Sequence, residues 1–330
     1  MIRNQWYAVL ESKELKSKPI GTTRLGERMV FWRDSAGKAV CFFDRCAHRG
    51  ASLALGACLE GRIQCPFHGL EYDPSGRCVL IPANGRNQPV PESFRVRAYP
   101  THEAYGIIWI WWGFDPPAEL APPEFFDDLR DLRTWASVQD PWDTHYSKVM
   151  ENQLDVAHLP FVHHNSIGRD NATLVEGPGL EWKGDKQFFM YPYNKQDDGS
   201  KPRRPDEVPV PPKDTEFKIE LILPNLWENH ISERVRILAL FVPVDDKHTI
   251  MYLRFYQTFI RMPLLRGLIC RMAMPMNRYI AGQDRRVVNT QLPKGDGIGT
   301  GELLFPGDHP IMEFRKKRIE LKKRAGMTPS

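Results

Sequence analysis

The 330-residue chain lacks any long apolar run. Its most apolar stretch, GIIWIWWGF (106–114), falls well short of the ~20 residues a membrane helix needs, and reads instead as a buried strand. An excess of charge of either sign is missing too: 45 basic against 41 acidic residues leave a net charge of +4. That balance is too even to recruit nucleic acid electrostatically. Cysteine is scarce, at six residues, which excludes a disulfide scaffold; beside histidine in a reducing compartment it points to metal. The opening MIRNQWYAVLESKELK carries no apolar signal core, so the expectation is a cytoplasmic protein. There is no internal repeat and no P-loop. GDGIGTG (295–301) lacks the G-x-G-x-x-G spacing and follows no strand, so it reads as a loop and not as a nucleotide cradle.

What is present divides the chain in two. Residues 1–115 carry short β-type runs, among them RMVFWRD, AVCFFD, CVLI, FRVRAYP and the 106–114 stretch, separated by turn signals such as DSAGK and DPSG. The four prolines of DPPAELAPPEFFDD mark a linker. Over 116–330, WDTHYSKVMENQLDVAHL (142–159) reads as a helix stopped by Pro160, several strands of an antiparallel sheet follow, and PMNRYIAGQDRRVVNTQ (275–291) reads as a second helix. The expected fold class is α+β, an all-β domain followed by an antiparallel sheet with helices. The charged, five-proline stretch 194–216 reads as a mobile loop, an insertion or an active-site lid.

Two Cys-His pairs stand close together: Cys46 with His48 and Cys65 with His68. Zinc accepts two thiolates and two imidazoles. One residue between Cys46 and His48 nevertheless leaves little room to chelate a single ion, and the pairs sit better on two adjacent ions. A [2Fe–2S] cluster with two Cys on one iron and two His on the other meets that demand. Gly50 and Gly69 close the two segments and suit backbone N–H groups turned toward bridging sulfides. Cys41, Cys58 and Cys78 fit no ligand position and read as core or surface thiols.

A second constellation lies in MENQLDVAHLPFVHHN (150–165), which carries Asp155, His158, His163 and His164. At a spacing of three, Asp155 and His158 share a helix face. Two His and one carboxylate make the facial triad of non-haem Fe(II) oxygenases, with positions left open for O₂. For the carboxylate, Asp284 is the best candidate. It lies on a helical stripe with Ile280, Val287, Val288 and Gln291, where an acid is costly unless paired or metal-bound.

The first constellation, Cys-x-His, sixteen residues, Cys-x-x-His within CAHRG and CPFHG, resembles the Rieske motif, although Leu70 stands where a Trp is common. The second resembles the Asn-x-x-Asp-x-x-His-x₄-His signature of the catalytic subunit of Rieske non-haem iron oxygenases. The resemblance implies that Cys46, His48, Cys65 and His68 hold a [2Fe–2S] cluster and that His158, His163 and Asp284 hold a mononuclear Fe(II), with His164 as the alternative to His163. It implies that Asp155 bridges a cluster His to an iron His across a subunit boundary in a head-to-tail homotrimer, and that Asn152 lines the iron site. It further implies O₂ as co-substrate, NAD(P)H used indirectly through a separate reductase or ferredoxin, and a small organic substrate that is hydroxylated or demethylated. No nucleic-acid or membrane partner is expected. Phe161, Leu223, Trp227, Met251 and Phe255 are candidate pocket residues, and the basic run RKKRIELKKR (315–324) is a solvated face or a dock for an acidic electron carrier. An electron-transfer protein without its own oxygenase chemistry, and a zinc-stabilised binding module, are the rival readings.

Overall fold

The computed structural model describes residues 1–114, 116–213, 217–295 and 301–327. The chain divides into two compact units, Arg3–Pro123 and the chain from Glu124 onward together with Met1–Ile2. Most of GDGIGTG and the end of the 194–216 stretch lie outside the described residues.

The first unit is all β. Gln5–Glu11, Ile107–Trp112 and Thr101–Ala104 form one sheet, with Ile107–Trp112 central, as its apolar run anticipates. Ile20–Arg24, Glu27–Arg33, Ala39–Phe43 and Ala98–Tyr99 form a second. A third, of Ala57–Leu59, Arg62–Gln64, Glu71–Tyr72 and Cys78–Leu80, carries one of the two Cys-His segments on the connection between its middle strands. Val30, Trp32, Phe42, Leu53, Ile63 and Tyr72 form the core beneath, and Cys46 and Cys65 are packed into it.

The second unit is a seven-stranded antiparallel sheet with helices. Its spatial order is Ala136–Trp142, Thr249–Gln257, Val235–Pro243, Leu226–Ser232, Lys218–Ile222, Gln187–Lys195, Leu174–Lys183. The helices are α1 (Tyr146–Leu154), α2 (Leu159–Val162), α3 (Pro263–Val288) and α4 (His309–Arg324). This is the expected α+β class, with local differences that have physical causes.

Residues 142–159 are not one helix. Trp142 ends a strand, α1 stops at Leu154, and Asp155 is extended at its C-cap. Asp155 Oδ1 accepts the N–H groups of Ala157 (2.7 Å) and His158 (3.3 Å), which favours a restart over a continuation. Pro160 then lies in the first turn of α2, where its missing N–H costs nothing. At the other end of the unit, α3 begins at Pro263, twelve residues before the expected start, and carries Pro275 inside it. Its buried face holds Asn277, Ala281, Asp284 and Val288, while Val287 is exposed. The basic run is helix α4, not a fully solvated face: Phe314, Arg318, Leu321 and Lys322 are buried on one side. The 194–216 loop is tethered where it is described. Arg203 Nε bonds Glu176 Oε2 at 2.8 Å, the Gly177 N–H donates to Arg203 O at 3.0 Å, and the Tyr193 hydroxyl donates to Pro209 O at 2.5 Å.

Candidate metal centres

The two Cys-His segments are loops of equal length closed by the same bonds. The Cys46 N–H donates to Ala51 O (2.8 Å), and the Gly50 N–H to Cys46 O (2.9 Å). In the second loop the Cys65 N–H donates to Leu70 O (2.8 Å), and the Gly69 N–H to Cys65 O (3.1 Å). Each glycine stands four residues after its cysteine with φ near +74° and +72°, a conformation that disfavours any other residue. The glycines' own N–H groups are thus used to close the turns. Asp44 pins the first loop: Oδ2 accepts the Ser52 hydroxyl at 2.5 Å and Oδ1 the Ala54 N–H at 2.9 Å.

Within this paired frame, the unequal spacings Cys-x-His and Cys-x-x-His place the two histidines at different steps of equal loops. Their rings come together, with centroids 4.8 Å apart. Cys46 and Cys65 are buried, whereas His48 and His68 are exposed. The thiolate side of a cluster would be enclosed and its imidazole side would face outward. Tyr72, which sequence reasoning did not single out, completes the site. Strand pairing sets it opposite Ile63, and its hydroxyl lies 3.1 Å from Cys46 Sγ and accepts the Ala47 N–H at 3.2 Å. Burial, then Cys46, push the phenol pKa well up, so it keeps its proton. The two loops thus bring the His48 and His68 rings together and bury Cys46 and Cys65, a donor set that fits a two-iron cluster.

In the second unit, His158, His163 and Asp284 come together, their donor atoms all within 4.8 Å of one another. His158 caps α2, His163 follows it, and Asp284 reaches in from α3. Asp284 Oδ1 lies 3.3 Å from His158 Nε2 and 2.9 Å from His163 Nε2. Neither approach is aligned as a hydrogen bond, and this buried oxygen has none. A carboxylate oxygen crowded by two imidazole nitrogens without hydrogen-bond geometry is costly unless a cation lies among them, so the group fits a divalent metal. Burial works against the charge on Asp284, yet His158 and His163 outweigh it and hold its pKa below the usual carboxylate range. Burial likewise lowers His158, but Asp155 and Asp284 outweigh it and raise its pKa to about 9.

Each imidazole has its own backing group. Asp155 Oδ2 lies 3.5 Å from His158 Nδ1, brought there by the capping turn and not by a shared helix face. His163 Nδ1 lies 3.0 Å from Gln283 Oε1, which also accepts the Ser166 hydroxyl at 2.9 Å, while Gln283 Nε2 donates to Asn165 Oδ1 at 2.8 Å. With Oε1 so fixed as an acceptor, Nδ1 of His163 carries the proton and Nε2 is left bare for metal. Gln283 is the second residue missed in the sequence, and its place beside Asp284 was the available signal. His164 is exposed, bonds Phe161 O at 3.0 Å, and is outside the group. Asn152, at the end of α1, has a buried Nδ2 without a hydrogen bond.

Of the candidate pocket residues, Trp227, Met251 and Phe255 share one side of the sheet by register. Phe161 is 68% exposed, and Leu223 lies outside the strands at a turn, bonded to Lys186 O. A second crowd of donors, Asp128, Glu228 and His230, occupies the other side of the sheet. There Arg236 Nε already stands 2.8 Å from Asp128 Oδ2 and supplies the cation.

Residues 5–100 match the Rieske [2Fe-2S] domain family, and residues 142–324 match the vanillate O-demethylase oxygenase C-terminal domain family. Among curated proteins the chain is 33% identical over 198 residues to the oxygenase component of dicamba O-demethylase from Stenotrophomonas maltophilia, covering 57% of this chain and 56% of that one. It is 33% identical over 179 residues to the toluene-4-sulfonate monooxygenase system iron-sulfur subunit TsaM1 of Comamonas testosteroni, covering 53% and 50%. These matches span about half the length of those relatives. Methylxanthine N1-demethylase NdmA of Pseudomonas putida is 27% identical over 330 residues, covering 97% of this chain and 89% of its own. Among solved structures, NdmA superposes with a TM-score of 0.76 at 23% identity, covering 99% of this chain and 96% of that one. Dicamba monooxygenase bound to dicamba superposes with a TM-score of 0.74 at 22% identity, covering 99% of both chains. These two likenesses are of fold.

Proposed function

Because the chain belongs to the vanillate O-demethylase oxygenase C-terminal domain family and carries a Rieske [2Fe-2S] domain ahead of that region, we propose that it is the terminal oxygenase of a multicomponent Rieske system. It takes electrons from a separate reductase or ferredoxin, and so from NAD(P)H indirectly, and uses O₂ to hydroxylate or oxidatively demethylate a small ring-bearing substrate. The observation that carries this reading is the convergence of His158, His163 and Asp284 in a chain that also holds paired Cys-His loops. A protein that only passes electrons has no use for a second metal site.

In this reading Cys46, His48, Cys65 and His68 hold the cluster, and His158, His163 and Asp284 hold a mononuclear Fe(II). When bound, the cluster would supply single electrons and the Fe(II) would activate O₂. Asp155 orients His158, and Gln283 fixes the tautomer of His163. Asn152 has a buried, unpartnered N–H and, on this reading, lines the iron site. Asp155 also bridges toward an exposed cluster histidine of a neighbouring copy in a head-to-tail homotrimer, the assembly that lets one subunit's cluster serve the next subunit's iron. The enzyme works in the cytoplasm.

Iron and sulfide analysis of the purified chain separates the readings. An oxygenase holds about three irons and two acid-labile sulfides per chain, an electron-transfer protein about two of each, and a zinc module neither. With a reductase, NADH and a metabolite extract, the oxygenase consumes O₂ and shifts masses by oxygen addition or methyl loss. Two irons and no O₂ uptake with any extract would refute the proposal.

A further inference from the structure

The two sides of the seven-stranded sheet differ in charge. Residues directly paired across an antiparallel ladder point the same way, so register assigns each side chain to a side. The side toward the helices is fixed by Asp140, whose carboxylate bonds Arg285 of α3. From Asp140 the register runs to Met251 and Phe241. On the same side it passes through Ala239 to Trp227 and Leu221, and Leu221 faces Phe188. On the strands between the edges, every side chain on this side is neutral. The opposite side carries Lys218, Glu220, Glu228, His230, Arg236 and Arg254.

The metal-binding loop is tied to the neutral side: Asn194, on that side, donates through Nδ2 to Val156 O at 2.9 Å, one residue from Asp155. On the strands between the edges this side holds buried polar atoms without hydrogen bonds, namely Trp227 Nε1, Asn229 Oδ1 and Asn194 Oδ1, and α1 carries a further one, Asn152 Nδ2. Two are donors and two are acceptors, and none is charged. The one acid, Asp140, is matched by Arg285. A divalent iron held by Asp284, with Asp155 behind His158, is matched by those two carboxylates. The sheet itself leaves no surplus charge of either sign to receive an ionised group, the buried charges of α1 are paired (Lys148 with Glu302, Glu151 with Arg315), and burying an ion unpaired is strongly unfavourable.

Resting on the oxygenase reading, we propose that the substrate is an uncharged, ring-bearing molecule that both accepts and donates hydrogen bonds, and that the site excludes ionised acids and amines. The test uses the full metallated chain with nitric oxide on its Fe(II), whose nitrosyl EPR signal changes when a molecule binds beside the iron. The probes are the methoxybenzamide isomers, the matching methoxybenzoates and the methoxybenzylamines, which share a ring and differ in charge. A neutral amide should perturb the signal at concentrations at least about tenfold below its ionised counterparts, a difference of about 1.4 kcal/mol. Asn229→Asp, which adds one negative charge to the wall, should reverse the order in favour of the amine while iron and sulfide contents stay unchanged. An ionised probe that binds as well as the amide, or a neutral series that binds nowhere in its solubility range, overturns the inference alone. Absence of any nitrosyl signal overturns the oxygenase reading, and this inference with it.

Discussion

Replacing Tyr72 with Phe removes one oxygen atom and keeps the ring in the core. The hydroxyl it deletes lies 3.1 Å from Cys46 Sγ in a fully buried position. A hydrogen bond to a charged acceptor contributes about 1.5–3 kcal/mol. Only the part that differs between oxidation states moves the reduction potential. Reduction adds negative charge to the cluster sulfurs, so the bond is stronger in the reduced form. If about a third to a half of its strength is differential, the reduced state loses roughly 1 kcal/mol. For a one-electron couple about 1.4 kcal/mol corresponds to ~59 mV, so the expected change is a drop of about 40 mV. The Ala47 N–H also loses its acceptor, which lowers folding stability by about 1–2 kcal/mol. A redox titration followed by visible circular dichroism measures the first effect and thermal unfolding the second. A fully loaded variant whose potential stays within about 10 mV of wild type, or rises, would show that the hydroxyl does not tune the cluster.

Asp284→Ala should lose about one of three irons per chain and keep both sulfides, since the cluster loops are untouched; three irons retained would mean that another carboxylate completes the site. Gln283→Leu frees His163 Nδ1 and should weaken binding of the mononuclear metal about 10–100-fold, read by competition with a chelator, whereas an unchanged affinity would make the amide dispensable. On the charged side of the sheet, burial raises the Glu228 carboxyl to a pKa of about 7, and the His230 pKa is raised by Glu220 and Glu228 against its burial. Both groups hold a proton more tightly when folded. Their stabilisation is full below the unfolded pKa values and fades as pH rises through the folded ones, on the order of 3 kcal/mol for Glu228 between about pH 4.5 and 7. Glu228→Gln should flatten that decline in melts taken from pH 5 to 8, and equal slopes for the two proteins would contradict the assignment.

Much of this protein is written locally in its sequence. The Cys-x-His and Cys-x-x-His pairs, each with glycine four residues after its cysteine, determine two equal loops, because turn length and a left-handed residue are properties of five consecutive residues. The alternation of β-branched and aromatic residues determines the strands, and the cluster of acid and histidines at 155–163 marks the second site. Folding decided what depends on residues far apart in the chain. Asp155 and His158 meet through a capping turn that helical periodicity did not reveal, because the carboxylate's bonds to Ala157 and His158 compete with the helix. Tyr72 reaches Cys46 only through strand register, and Gln283 reaches His163 only because α3 crosses the loop 120 residues earlier in the chain. Register, too, decided that Trp227 and Asn229 look toward the helices while Glu228 and His230 look away. Alternation along a strand sorts side chains into two sets, and only packing against a helix says which set faces the metal.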